Sequence, residues 1–79
     1  MLKRVPRTHR PVLLRLLLDI RKEKGLTQAQ LAHRLDREQN FVSLYERGVR
    51  RLDVLELREI CRALDIPFLT FIRRLEKKL

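Results

Sequence analysis

Between Leu26 and Gly48 the chain reads LTQAQLAHRLDREQNFVSLYERG, two short helical patterns separated by only two or three residues. That spacing leaves room for only a short turn between them. The first helix is well specified at its start. Thr27-Gln28-Ala29-Gln30 has the form of a capping box, and Leu26 is placed to staple against Leu31. Leu31, Ala32 and Leu35 then point inward until the pattern breaks at Asp36. The second helix ends before Gly48, a natural left-handed cap. Asp36 has two incompatible roles open to it. It can end the first helix in the left-handed region, or begin a second capping box, Asp36-Arg37-Glu38-Gln39, but not both.

The rest of the chain reads as helices that cover this pair. Two glycines, three prolines and no alternating Val/Ile/Thr-rich segment leave no strand signal, so the fold class is all-α, a compact bundle of five helices. Residues 1–10 carry Lys3, Arg4, Arg7 and Arg10 without an acid and read as a basic arm leading into a helix capped near Thr8. Residues 11–79 read as the folded domain, with the two closely spaced helices at about 27–47. In the helix before Gly25, Leu13, Leu16, Leu17 and Ile20 share one face, with Leu14 and Arg21 on its flank. Asp53-Val54-Leu55-Glu56 repeats the capping box, stapled by Leu52 and Leu57, and Leu57, Ile60, Cys61 and Leu64 line the inner face that follows. Pro67 falls at the first position of a last helix over 67–79. That helix is more apolar than one core stripe requires. Phe68, Phe71, Ile72, Leu75 and Leu79 therefore have two readings, completion of the core or a homodimer interface.

Charge narrows the partners. With 19 Lys and Arg against 10 Asp and Glu, the net charge of +9 favours a polyanion, nucleic acid before an anionic membrane or an acidic protein. The longest apolar run, Val12 to Leu18, contains Arg15 and is far short of the ~20 residues of a membrane helix. Cys61 stands alone and reads as a small core residue, which fits a reducing, cytoplasmic setting. His9 and His33 have no ligand-spaced companions, so no metal is expected. Without a nucleophile–base pair, a glycine-rich phosphate loop or an acidic cluster, the chain is expected to be no enzyme and to need no cofactor.

The helix before Gly48 is sharply two-sided. With Gln39 at zero, Ser43, Arg47, Asn40 and Leu44 fall within about 140° of arc, and Phe41, Val42 and Tyr45 lie opposite. A surface helix always has a polar side, but a merely solvated one is usually built from Glu/Lys pairs. This one instead offers Gln, Asn and Ser, and Arg37, Arg47, Arg50 and Arg51 flank it at both ends. Gln39 and Asn40 can bind adenine edges, Ser43 can donate or accept, Leu44 can touch a thymine methyl, and the arginines suit phosphates.

"LTQAQLA", "FVSLYERG" and "RRLDVLELREICRALDI" together resemble the phage-repressor-like helix-turn-helix family of the Cro and lambda-repressor, or xenobiotic-response-element, type, over roughly Leu17 to Phe71. The resemblance implies a five-helix domain, commonly dimeric, whose second motif helix enters the major groove. It puts Gln28 on a phosphate, Gln39, Asn40, Ser43 and Leu44 against bases, and Arg47, Arg50 and Arg51 near the backbone. It also implies an ion pair between Arg21 and Glu46, and the periodicity independently sets Glu46 at the edge of the core. Asp36 and Asp65 stand where the family usually has Gly, and Leu44 where its nearest members usually have Lys. The expectation is a sequence-specific regulator of transcription that binds double-stranded DNA, a repressor by operator occupancy. The alternative is an antitoxin-like or adaptor module that holds a protein partner and binds DNA secondarily.

Overall fold

The computed structural model describes residues 6–79, and among them five helices and no strand are found. These are α1 (His9–Glu23), α2 (Gln28–Arg34), α3 (Gln39–Glu46), α4 (Val54–Ala63) and α5 (Phe68–Lys78). Met1 to Val5, and with them Lys3 and Arg4 of the basic arm, lie outside the described residues. No described helix is long and apolar enough to cross a membrane.

Every apolar stripe finds a partner. α2 packs on α3, α1 on α3 and α5, and α4 on α5. The shared core consists of Leu16, Leu17 and Ile20 from α1, Leu31 and Ala32 from α2, and Phe41, Val42 and Tyr45 from α3. Ile60 and Cys61 of α4, Leu64 and Ile66 beyond it, and Phe71 of α5 close the other side. Each fully buried Leu, Ile or Phe contributes about 1.5–3 kcal/mol of hydrophobic stabilisation before the entropy of ordering the chain is set against it. Cys61 is an interior residue as its stripe implies, and burial pushes its thiol up to about 11. The Tyr45 hydroxyl is also buried, without a hydrogen-bond partner among the described residues, and desolvation raises it far above the usual phenol range.

The helix ends follow one local rule. α1 to α4 each close in a Schellman turn, the residue after the C-cap being left-handed: Gly25 (φ 70°), Asp36 (54°), Gly48 (78°) and Asp65 (59°). The paired bonds that define the turn run from Asp36 N to the His33 carbonyl (3.1 Å) and from Arg37 N to the Ala32 carbonyl (2.9 Å). Asp65 N reaches the Arg62 carbonyl and Ile66 N the Cys61 carbonyl, both at 3.0 Å. Of its two open roles Asp36 therefore takes the C-terminal one. The second capping box does not form, and Glu38 is the N-cap of α3, with no side-chain cap bond. Two smaller differences concern the other caps. Thr8 precedes α1 but its side chain makes no cap bond, and Pro67 is the N-cap of α5 rather than its first residue.

Asp36 and Asp65 hold a conformation that L-residues disfavour, and each sets a carboxylate against the negative end of a helix dipole. Asp36→Gly and Asp65→Gly should each raise the unfolding free energy by about 0.5–1 kcal/mol, since relief of strain and repulsion exceeds the added backbone entropy. Urea unfolding of the two variants checks this. A midpoint shifted downwards would mean that the aspartates are favourable where they stand.

α5 divides the residues that had two readings. Phe71 is 0 % exposed in the single chain, so it belongs to the core and not to a surface between copies. Phe68, Ile72 and Leu75 are half-buried against that core, while Leu69 and Leu79 stand exposed. Val54 and Leu55 on α4 are exposed as well.

Candidate nucleic-acid interface

The interface starts with the placement of α2. Gly25 reverses the chain, and the capping box then fixes the first turn. Thr27 Oγ1 accepts from Gln30 N (3.0 Å) and Gln30 Oε1 accepts from Thr27 N (2.9 Å). Beneath this turn lies the Arg21–Glu46 pair that periodicity and resemblance both indicate. Arg21 Nε donates to Glu46 Oε2 at 2.7 Å and Nη2 to Oε1 at 3.1 Å, while Nη1 reaches the Leu26 carbonyl at 2.8 Å. Gln28 adds a fourth bond, its Nε2 donating to Glu46 Oε1 at 2.8 Å. One carboxylate thus ties α1, the α1–α2 turn, the start of α2 and the end of α3 together. A bidentate geometry with further hydrogen bonds is what makes a pair this buried tolerable. Gln28, placed on a phosphate by resemblance, has its amide nitrogen engaged here, which leaves its carbonyl oxygen free of a bond to the described residues.

α3 presents the polar stripe on the far side of that tie. Phe41, Val42 and Tyr45 are buried, and Phe41 meets Tyr45 edge to face with centroids 5.6 Å apart. Gln39 and Asn40 are fully on the surface in the first turn, Ser43 and Leu44 are half-exposed, and Arg47 is exposed at the C-cap. All four expected base-contacting side chains therefore share one accessible face. α3 also begins without a side-chain cap bond, Glu38 being its N-cap, and without an acid in its first turn.

The flanking arginines are arranged differently from the expectation. Arg37 and Arg50, expected at opposite ends of α3, converge on one ring, with their guanidinium carbons 4.2 and 4.8 Å from the Phe41 centroid. Glu56 holds both. Arg50 pairs with it in bidentate fashion at 2.7 and 3.1 Å, and Arg37 stands 3.6 Å from the same carboxylate. Arg50 also donates to the Arg51 carbonyl at 2.8 Å. The Arg50 guanidinium holds the Glu56 carboxyl below the usual carboxylate range, helped by the Asp53 amide that Glu56 Oε1 accepts at 3.0 Å. Glu56 was legible in sequence only as half of a capping box, which does form, with Asp53 Oδ1 accepting from Glu56 N at 2.7 Å. No local pattern announces its second role. Arg47 and Arg51 are exposed and belong to no ion pair among the described residues.

Chemically the site presents amides and a hydroxyl on one face, with cations at its edges. Among the described residues no group of three His, Cys, Asp or Glu side chains could hold a metal ion. Fold and site together define a small all-helical domain with a helix-turn-helix at its centre and an open polar face on the second helix of the motif. Comparison with known proteins gives the same class. A family model described as helix-turn-helix matches residues 17–71. An XRE-family like protein from Pseudomonas syringae pv. tomato str. DC3000 is similar at 41% identity, with 90% of this chain and 87% of that one covered and a TM-score of 0.85. The restriction-modification controller protein C.Esp1396I is similar at 28% identity and a TM-score of 0.83, over 91% of this chain and 95% of its own. Its tetramer in complex with its natural 35 base-pair operator superposes with a TM-score of 0.82, at the same identity and coverage. The comparison with curated proteins returns no match. The chain belongs to the helix-turn-helix family of the xenobiotic-response-element type.

Proposed function

We propose that this protein is a sequence-specific transcriptional regulator that occupies an operator in double-stranded DNA, acting as a repressor by blocking the promoter. The observation that carries this reading is the face of α3. Gln39, Asn40, Ser43 and Leu44 stand together on it, backed by a buried core and an ion pair that hold the helix rigidly. Rigid presentation is what direct readout of bases requires, because bidentate contacts tolerate little angular error. Arg47 and Arg51, with Arg37 and Arg50 held by Glu56, supply the cations that set register on the backbone. Gln28, whose amide nitrogen donates to Glu46, can turn that N–H to a phosphate once DNA competes with the carboxylate. The operator complex of the similar controller protein supports the same use of the fold.

A two-fold operator needs two copies. The reading therefore includes a homodimer that uses the exposed Leu69 and Leu79 with the half-buried Phe68, Ile72 and Leu75 of α5. A cytoplasmic location follows from DNA as the partner and agrees with a lone, buried Cys61. The exposed apolar residues also favour a second reading, the antitoxin-like or adaptor module, in which Leu55 and Leu69 meet a different protein.

Selection of bound duplexes from a random pool at about 150 mM salt, where purely ionic binding is weakened, separates the two. The expected product is an inverted motif with half-sites about one helical turn apart. Absence of any enriched sequence would remove the regulator reading and leave the partner-binding module.

A further inference from the structure

Two hollows open where the start of α1 faces the end of α3 and the loop that follows it, and both are lined by Arg7 and Arg10 together with Leu14. The first leads from these arginines to Arg50, Arg51 and Leu52. The second leads to Arg47 and Gly48, with Arg15 on its wall. The start of α1 thus stands against the loop between α3 and α4, and five guanidiniums other than Arg15 edge these two neighbouring hollows.

The cations of these hollows are short of counter-charge. Arg7, Arg10, Arg47 and Arg51 belong to no ion pair among the described residues, and Arg15 is paired with Asp19 at 2.9 Å. The one acid on the wall, Glu46, already has both oxygens occupied by Arg21 and Gln28. The segment before Pro6 contains no acid either. α1 adds to the field, since it starts with no acid in its first turn and no side-chain cap, so the positive end of a 15-residue helix is left open. Like charges gathered round a cleft repel one another, and an anion between them removes that repulsion. Planar guanidiniums that converge from two walls match a phosphate, each oxygen meeting a fork of N–H donors.

We infer that Arg7 and Arg10 form a second backbone grip, seating phosphates of the same DNA that α3 reads, beyond the run met by Arg47 and Arg51. The assignment rests on the operator-binding reading above. The occupant is the sugar–phosphate backbone of that duplex because the loop that carries Arg47, Arg50 and Arg51 walls both hollows, and the one acid on those walls is already paired. None of Gln39, Asn40, Ser43 and Leu44 lines either hollow, and a grip on phosphates is blind to sequence. Its contribution is affinity and register, with Arg7 just before α1 and Arg10 in its first turn forming a wall of the interface.

The test is the salt dependence of binding by the double variant Arg7→Gln/Arg10→Gln, measured on the selected operator and on a scrambled duplex. Each phosphate that is no longer neutralised should lower the slope of log K against log salt by about 0.9, so a fall of about 1.8 is expected, with the operator-to-scrambled ratio unchanged. Arg7→Lys/Arg10→Lys keeps the charges and should restore most of the slope. Arg73→Gln on α5 removes a charge elsewhere and should leave the slope as in the wild type. Far-UV circular dichroism and thermal unfolding show that the variants are folded, and the lysine variant keeps the test decisive if the glutamine pair is not. An unchanged slope overturns the inference, as does a decrease of equal size in Arg73→Gln or the failure of lysine to restore it. A wild type that binds both duplexes equally would instead remove the operator reading itself.

Discussion

Glu46→Ala is expected to lower the unfolding free energy by about 3–5 kcal/mol, the usual consequence of leaving one member of a buried ion pair without its partner. The residues concerned are well inside. Arg21 is 8 % exposed, and the Glu46 side chain 6 %. Without the carboxylate Arg21 loses its bonds at 2.7 and 3.1 Å, keeps only the Leu26 carbonyl, and remains charged in a site that water barely reaches. Gln28 loses its acceptor at the same time. A domain of 79 residues has about 4–12 kcal/mol of stability in all, so the loss is a large part of the total. Because the pair also joins the start of α2 to the end of α3, DNA affinity should fall with it. Urea unfolding gives the magnitude, and a loss under about 1 kcal/mol would mean that the pair is dispensable. The double variant Arg21→Met/Glu46→Leu should recover most of the stability, because apolar side chains of similar volume carry no desolvation penalty. That recovery separates the cost of a stranded charge from the worth of the pair.

How much of this was legible in sequence depended on distance along the chain. Thr27–Gln30 and Asp53–Glu56 close as capping boxes because the whole motif lies within one helical turn, and the left-handed Gly25 and Gly48 are equally local. The Arg21–Glu46 pair spans 25 residues and was still legible, since helical periodicity set Glu46 at the core edge and the family resemblance named its partner. The four residues of the α3 face were legible for the same reason, because a helix with a strongly apolar side fixes which residues point away from it. Asp36 was not decidable from its own neighbours, and the Schellman bonds from Arg37 and Asp36 settle it. Glu56 shows the limit most clearly. Its cap is local, but its grip on Arg37 and Arg50 around Phe41 depends on how the α3–α4 loop folds back, which no pattern within one helix encodes. Phe71 was ambiguous because an apolar residue on a last helix looks the same whether a core or a second copy covers it. The meeting of Arg7 and Arg10 with Arg50 and Arg51 across some 40 positions has the same cause.

Replacing Gln39 or Asn40 by alanine should affect specificity far more than stability. Both side chains are exposed, so stability should change by no more than about 0.5 kcal/mol. Each should lose about 1–3 kcal/mol of discrimination, a factor of about 5–150 in the ratio of operator to random binding. The reason lies in what each side chain can do. A carboxamide presents a donor and an acceptor side by side, a pattern that matches adenine in the major groove and is not reproduced by water once the groove is occupied. Alanine removes both groups, so the loss should fall on one base position and flatten the preference there. Arg51→Ala makes the contrast, for a phosphate contact carries no sequence information and its removal should weaken operator and random duplexes alike while reducing the salt slope by about 0.9. Competition binding with duplexes varied one position at a time reads both effects. If Gln39→Ala and Asn40→Ala behave as Arg51→Ala does, α3 only docks on the backbone, and the selectivity of the protein must come from the shape of its DNA.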